Sequence, residues 1–160
     1  MAYVLDYLQG RGVVFTVIPH PKAETARGEA RLLRLPEEIV AETVVVMTRT
    51  GPALMVIPVS RSLDMWLAAE AVGDPHVRLA TDRELADRFP DYELGALPPL
   101  SMLLLVPMYV DPSIAEQDKI VFAAGRRDVS VLMATRDLFG SDPVVITPLT
   151  SESRVSAPSG

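Results

Sequence analysis

The run from Phe89 to Asp111, FPDYELGALPPLSMLLLVPMYVD, constrains this chain more than any other segment. A polar and aromatic lead-in reaches Gly95, two prolines follow at Pro98 and Pro99, and an apolar stretch then ends in Asp111. Proline fixes φ and offers no N–H, so it stiffens the loop that contains it. Glycine lets a ligand approach bare backbone. Gly95 to Pro99 therefore reads as a rigid G-x-x-x-P loop, able to hold backbone N–H groups in one arrangement around a carbonyl. Leu103 to Val110 behind it reads as a buried strand.

At 160 residues the chain is expected to form one domain that buries roughly two-thirds of its unfolded surface. Hydrophobic residues at 49% against 22% charged give a mean hydropathy of +0.24, which belongs to a cored globular protein and not a disordered one. The longest apolar run, Met102 to Val106, stops at Pro107, far short of the roughly 20 residues that span a bilayer. The start, MAYVLDYLQGRG, lacks the basic and apolar regions of a signal peptide. Without cysteine, thiolate catalysis, disulfides and Cys-ligated zinc are excluded, and a cytoplasmic protein is expected. The net charge of −6 argues against sequence-independent binding along DNA or RNA, though not against a grip on the end of one strand.

No internal repeat stands out. Val4 to Gln9 reads as a short helix ended by Gly10 and Gly12, Val13 to Ile18 as a strand, and Ala23 to Leu35 as a helix stopped by Pro36. Pro36-Glu37-Glu38 suits a helical first turn. Thr43 to Thr48 and Ala53 to Pro58 read as a hairpin across Arg49-Thr50-Gly51-Pro52. The next helix is expected to be capped by Ser60 or Ser62, to present Leu63, Trp66, Leu67 and Ala71 on one face, and to close at Gly73. Thr81 to Glu84 is a capping box. Ile120 to Ala124 and Val129 to Met133 read as strands split at Gly125-Arg126-Arg127-Asp128, Thr135 to Phe139 as a capped helix, and Val144 to Thr147 as a last strand. Hairpins mixed with crossovers predict an α+β domain over residues 1–148, with a mixed, strongly curved, barrel-like sheet. The Ser/Thr-rich segment 149–160 is expected to be a disordered tail.

Few residues suggest familiar chemistry. Two histidines without H-E-x-x-H or H-x-H spacing point to no metal site, and no G-x-S-x-G elbow or phosphate-binding glycine loop is present. No cofactor is expected. His20, between Pro19 and Pro21 after a strand, is placed for a pocket rim. The acid pairs Glu37/Glu38 and Asp82/Glu84 fit helix dipoles, and the methionines fit core filling.

In order and spacing, a series of segments resembles the YbaK/prolyl-tRNA synthetase-associated family. The series comprises His20-Pro21 with the alanine-rich Thr25 to Ala30, Glu42-Thr43-Val44-Val45, Pro58 with Arg61-Ser62-Leu63, and Val77 to Ala80. It continues through Tyr92, Gly95 and Pro99, then Asp111, and ends at Gly125-Arg126-Arg127. Members of that family clear wrongly charged aminoacyl-tRNA. The resemblance implies ester hydrolysis by water, aided by the substrate's ribose hydroxyl, with Gly95, Pro99 and the residue at position 42 as the working centre. It also implies that His20, Thr43, Ala96, Leu97, Ala123, Gly125 and Ser130 line the substrate pocket.

Glu42 stands where the family carries a lysine thought to meet the phosphate or ribose of the tRNA end. Beside a phosphate, this change turns attraction into repulsion, roughly a few kcal/mol at an effective dielectric of about 20. Ala123 and Ser130 also differ from some members. Two readings stay open. The first is a stand-alone deacylase of tRNA mischarged with a small amino acid, in which Arg49, Arg61 or Arg126 takes over the phosphate. The second is a non-catalytic module that binds a small ligand or a protein. The expected partner is the 3′ end of an aminoacyl-tRNA, with a synthetase or other protein as a further candidate and no membrane or DNA.

Overall fold

A computed structural model describes residues 2–140 and 142–156. Among the described residues, eight strands fall into two sheets. The smaller runs β1 (Phe15–Pro19), β7 (Val129–Ala134), β6 (Lys119–Ala123), all antiparallel. The larger has the order β4 (Arg78–Leu79), β2 (Ala41–Thr48), β3 (Gly51–Pro58), β5 (Met108–Val110), β8 (Val145–Ile146). Its β2–β3 and β2–β4 pairs are antiparallel and its β3–β5 and β5–β8 pairs parallel, so this sheet is mixed as expected.

The described strands do not close a barrel. The two sheets meet at a single parallel bridge, Val40 to Val121. Val40 is the one residue between the 3₁₀ turn Glu37–Ile39 and β2, and its carbonyl already accepts from the Val59 N–H at 2.9 Å. The contact therefore does not grow into a ladder.

The helices are α1 (Ala2–Gly10), α2 (Ala26–Leu33), α3 (Met65–Val72), α4 (Asp82–Arg88), α5 (Ser101–Leu104), α6 (Pro112–Ala115), α7 (Thr135–Phe139) and α8 (Ser151–Ser156). The main core joins both sheets: Val45, Leu54, Val56, Met108 and Val110 from one meet Ile120, Phe122, Val131 and Met133 from the other, with Val4 and Leu8 of α1. On the other face of the larger sheet, Val46, Ala53, Met55 and Ile57 pack with Ala68 of α3 and Leu149. β2 and β3 are thus buried on both faces, which accounts for their nearly unbroken apolar runs.

Several elements differ from the sequence reading, each for a local reason. α2 begins at Ala26, not Ala23, because the Thr25 side chain caps the Gly28 N–H and the Ala23 N–H is bonded to the Arg127 carbonyl. Asp64, not a serine, caps α3 through the N–H groups of Trp66 and Leu67; Trp66 then points outward, 56% exposed, while Leu67 and Ala68 turn inward. Leu103 to Val110 is not one strand. The short helix α5 follows Pro99, Leu105 turns outward with φ +59°, and pairing resumes only after Pro107, whose carbonyl accepts from Leu54 N–H. α7 forms as expected but has no side-chain cap.

The segment from 149 to 156, expected within a disordered tail, is held. Leu149 and Thr150 are fully buried and α8 follows them. The anchor is Asp111, whose carboxylate accepts from the Leu149 N–H at 2.8 Å, the Thr150 N–H at 3.1 Å and the Ser153 hydroxyl at 2.6 Å. The signal was Asp111 itself, a buried acid in need of donors. The end of that predicted tail, residues 157–160, lies outside the described residues.

Candidate functional site

The loop from Tyr92 to Pro99 is docked onto the turn after β6 by two reciprocal bonds. The Glu93 N–H donates to the Gly125 carbonyl, and the Gly125 N–H to the Ala96 carbonyl, both at 2.9 Å. The Ala96 N–H closes the loop on Glu93 at 3.1 Å. Ala96, Leu97, Pro98 and Pro99 are buried, whereas Gly95 is exposed at φ +81° with no atom within 4 Å of where a side chain would start. Prolines 98 and 99 have no N–H, and the N–H groups of Gly95 and Leu97 donate to no described residue. The Gly95 N–H is therefore without a described partner at an exposed point of the loop, two residues before the buried Leu97.

Gly125 cannot be another residue without cost. Its φ is +91°, and a Cβ there would stand 3.1 Å from the Tyr92 ring and 3.5 Å from Val4. The turn it opens also anchors the start of α2: the Arg127 carbonyl accepts from Ala23 N–H at 2.8 Å and the Asp128 carbonyl from His20 N–H at 3.0 Å. These bonds bring three separate segments around one small hollow, lined by Ala23, Thr25, Ala26, Glu29, Gly95, Ala123 and Arg127.

Charges ring the rim. Glu93 accepts from the Arg127 N–H at 3.1 Å and lies 3.6 Å from Lys22 and 3.7 Å from the Arg127 guanidinium. The backbone bond and then the two cations hold its carboxyl below the usual range. Arg126 pairs with Asp128 at 2.9 Å beside the same rim.

Behind the hollow sits a buried polar chain. Glu29 is 3% exposed and accepts a hydrogen bond from the Ser130 hydroxyl, itself fully buried. That hydroxyl is 2.7 Å from His20 Nε2, and His20 Nδ1 is 2.7 Å from the Pro21 carbonyl. Burial pushes the Glu29 carboxyl above its ordinary value, against the pull of the Ser130 bond and the His20 charge.

Of the residues expected from the sequence, the structure gathers Gly95, Ala96, Ala123, Gly125, Ser130 and His20 at or next to the hollow, while Leu97 and Pro99 are buried within the same loop as Gly95. Glu42 and Thr43 stand apart from that lining. They lie on opposite faces of β2: Ala41 and Val45, on Thr43's face, join the main core, while Val44 and Val46, on Glu42's face, join the second cluster. The Thr43 hydroxyl is buried without a partner. Glu42 is exposed at its outer side, yet surrounding protein raises its carboxyl above the ordinary range, opposed by the charge of Arg27. Arg27 also meets Glu37 at 3.2 Å and donates to the Val59 carbonyl.

The three arginines considered from the sequence are engaged elsewhere or at the rim. Arg49 faces Asp74 at 3.9 Å, Arg61 reaches Ser153 and Asp111, and Arg126 holds Asp128. Sequence reasoning missed Glu29, Glu93, Lys22 and Arg127. Glu29 did leave a signal: it falls in the stripe Ala26, Glu29, Ala30, Leu33, at spacings of three and four, where a carboxylate must be buried.

Residues 20–140 match the family described as the aminoacyl-tRNA editing domain. The chain belongs to that family. A candidate Cys-tRNA(Pro)/Cys-tRNA(Cys) deacylase of Enterococcus faecalis, EbsC, is 29% identical to this editing domain over 91 residues. The match covers 57% of this chain and 55% of that protein, little more than half of each. Among solved structures, a candidate trans-editing enzyme for prolyl-tRNA synthetase superposes with a TM-score of 0.79 at 21% identity, covering 93% of this chain and 95% of that one. A hypothetical protein, APE2540, superposes with a TM-score of 0.84 at 23% identity, covering 92% and 99%. At such identities these two establish the fold of the editing domain. No helix among the described residues is long and apolar enough to cross a membrane.

Proposed function

We propose that this editing domain is a deacylase, hydrolysing the ester of tRNA mischarged with a small amino acid, in the cytoplasm and without a metal or cofactor. The observation that carries the reading is the open Gly95 backbone in a loop otherwise closed by two prolines and three backbone bonds. The aminoacyl carbonyl would lie against the Gly95 and Leu97 N–H groups. Donors fixed in advance stabilise the oxyanion that forms as water attacks, and losing one such donor elsewhere costs about 100- to 1,000-fold in rate. The hollow beside them, walled by Ala23, Ala26 and Ala123, would admit a small side chain and exclude a large one.

The tRNA end carries phosphate, and the family lysine is Glu42 here. Arg27, close enough to Glu42 to perturb it and itself 55% exposed, would supply the missing cation from the neighbouring helix, with Lys22 and Arg126 at the rim. The test is a deacylation assay across tRNAs charged with alanine, serine, cysteine and bulkier residues. Hydrolysis of one or more small aminoacyl esters, with bulky ones spared, is expected; no hydrolysis of any ester would refute the reading.

A further inference from the structure

The polar chain behind the hollow has a proton count that can be read from its geometry. The Pro21 carbonyl can only accept, so His20 Nδ1 carries a proton. When the Ser130 hydroxyl donates to an ionised Glu29, His20 Nε2 must donate to Ser130 in turn, and His20 is cationic. When Glu29 is protonated it donates to Ser130, whose hydroxyl then turns to donate to Nε2, and His20 is neutral. The two arrangements hold the same number of protons. They differ only in which end carries the charge, and one proton shifted along each of the two hydrogen bonds separates them.

The two ends differ in surroundings. Glu29 is buried and lines the hollow with Gly95, while His20 is half-buried and reaches the surface at the end of β1. We propose that His20, Ser130 and Glu29 form a proton relay between solvent and the hollow beside Gly95. Its task rests on the editing reading. When water attacks the ester, its oxygen bonds to the carbonyl carbon and one O–H bond breaks, the proton passing to the Glu29 carboxylate. The C–O bond to the ribose then breaks, and the ribose oxygen takes the second proton of the water. The amino acid leaves as a carboxylate, so one proton per turnover has to leave the site. Glu29 accepts while His20 is neutral and its Nε2 vacant, the polar chain then holding one proton fewer than in those two arrangements. It passes that proton to Ser130, Ser130 gives its own to His20 Nε2, and the now cationic His20 releases a proton to solvent.

Every charged group around the relay bears on this. Arg127 lines the hollow with Glu29 from the β6–β7 turn, Arg27 and Arg31 share the Glu29 helix, and Asp128 of the same turn interacts with His20. The Ser130 bond and the His20 charge both pull the Glu29 carboxyl down against burial, so losing either residue should send it higher.

The test follows the Glu29 carboxyl by NMR titration in wild type, His20→Ala and Ser130→Ala, together with single-turnover deacylation. Glu29 should titrate higher in both variants. Each should lose about tenfold or more in rate at neutral pH, and added imidazole should restore part of it in His20→Ala. If Ser130→Ala does not fold, His20→Ala at the half-exposed end decides alone. A Glu29 titration unmoved by His20→Ala, or a rate within about twofold of wild type, would overturn the relay. A wild type that hydrolyses no aminoacyl ester would instead remove the editing reading and the relay's task, whatever the titration shows.

Discussion

The Gly125 N–H donates to the Ala96 carbonyl at 2.9 Å, so the turn between two strands of the smaller sheet sets the position of a loop about thirty residues earlier in the chain. That coupling makes Gly125 testable. Gly125→Ala must accommodate φ +91° and a Cβ 3.1 Å from the Tyr92 ring. The expected loss of stability is about 1–3 kcal/mol, read from urea denaturation, accompanied by loss of deacylation because Gly95 is displaced. Adding Tyr92→Ala should recover the steric part and leave the backbone part. Full stability in Gly125→Ala would contradict this.

Glu42→Lys should raise deacylation several-fold, since it replaces a carboxylate by an ammonium near the expected path of the tRNA end. The gain should shrink between 50 and 200 mM salt, as a phosphate contact requires. Arg27 is the neighbour that decides the size of the effect, so Arg27→Gln should lower the rate of the natural protein more than that of Glu42→Lys. A folded Glu42→Lys protein with an unchanged or slower rate would place Glu42 outside any phosphate subsite.

Asp111 gives the fold an acid-sensitive latch. Burial raises its carboxyl, but hydrogen bonds from Ser113, Ser153 and the Leu149 N–H outweigh that and hold it below the ordinary value. A lowered folded pKa means that the unfolded chain binds more protons in the acid window. The stabilisation is therefore complete above about pH 4 and is lost as pH falls toward the depressed folded value. Asp111→Asn should cost about 1–3 kcal/mol at pH 7 and progressively less on acidification. Amide exchange at Leu149 and Thr150 should accelerate in the variant at pH 7. An equal cost at pH 3 and pH 7 would contradict the latch.

Legibility followed the range of the forces involved. Local signals were readable: the β2–β3 hairpin, the Thr81–Glu84 capping box and the helix end at Gly73 all formed where the residue pattern placed them. Leu103 to Val110 was misread because an apolar run carries no period that separates a strand from a helical turn, and Pro107 decided the matter through one missing N–H. The segment from Leu149 was misread because what holds it is the buried carboxylate of Asp111, about forty residues away. At the site the glycines and His20 were legible one by one. Glu29, Glu93 and Arg127 were not, because only the bonds from Gly125, Arg127 and Asp128 to distant segments bring them together.

The central claim is that the bare backbone at Gly95 receives the ester carbonyl. Gly95→Val isolates it, because nothing lies within 4 Å of the added Cβ and only φ +81° opposes the change, at a cost of about 1–3 kcal/mol. The measurement is single-turnover hydrolysis of a small mischarged aminoacyl-tRNA by wild type and by folded Gly95→Val. The account predicts a wild-type rate well above spontaneous hydrolysis and a loss of about 100-fold or more in the variant. Equal rates in the two proteins would contradict it.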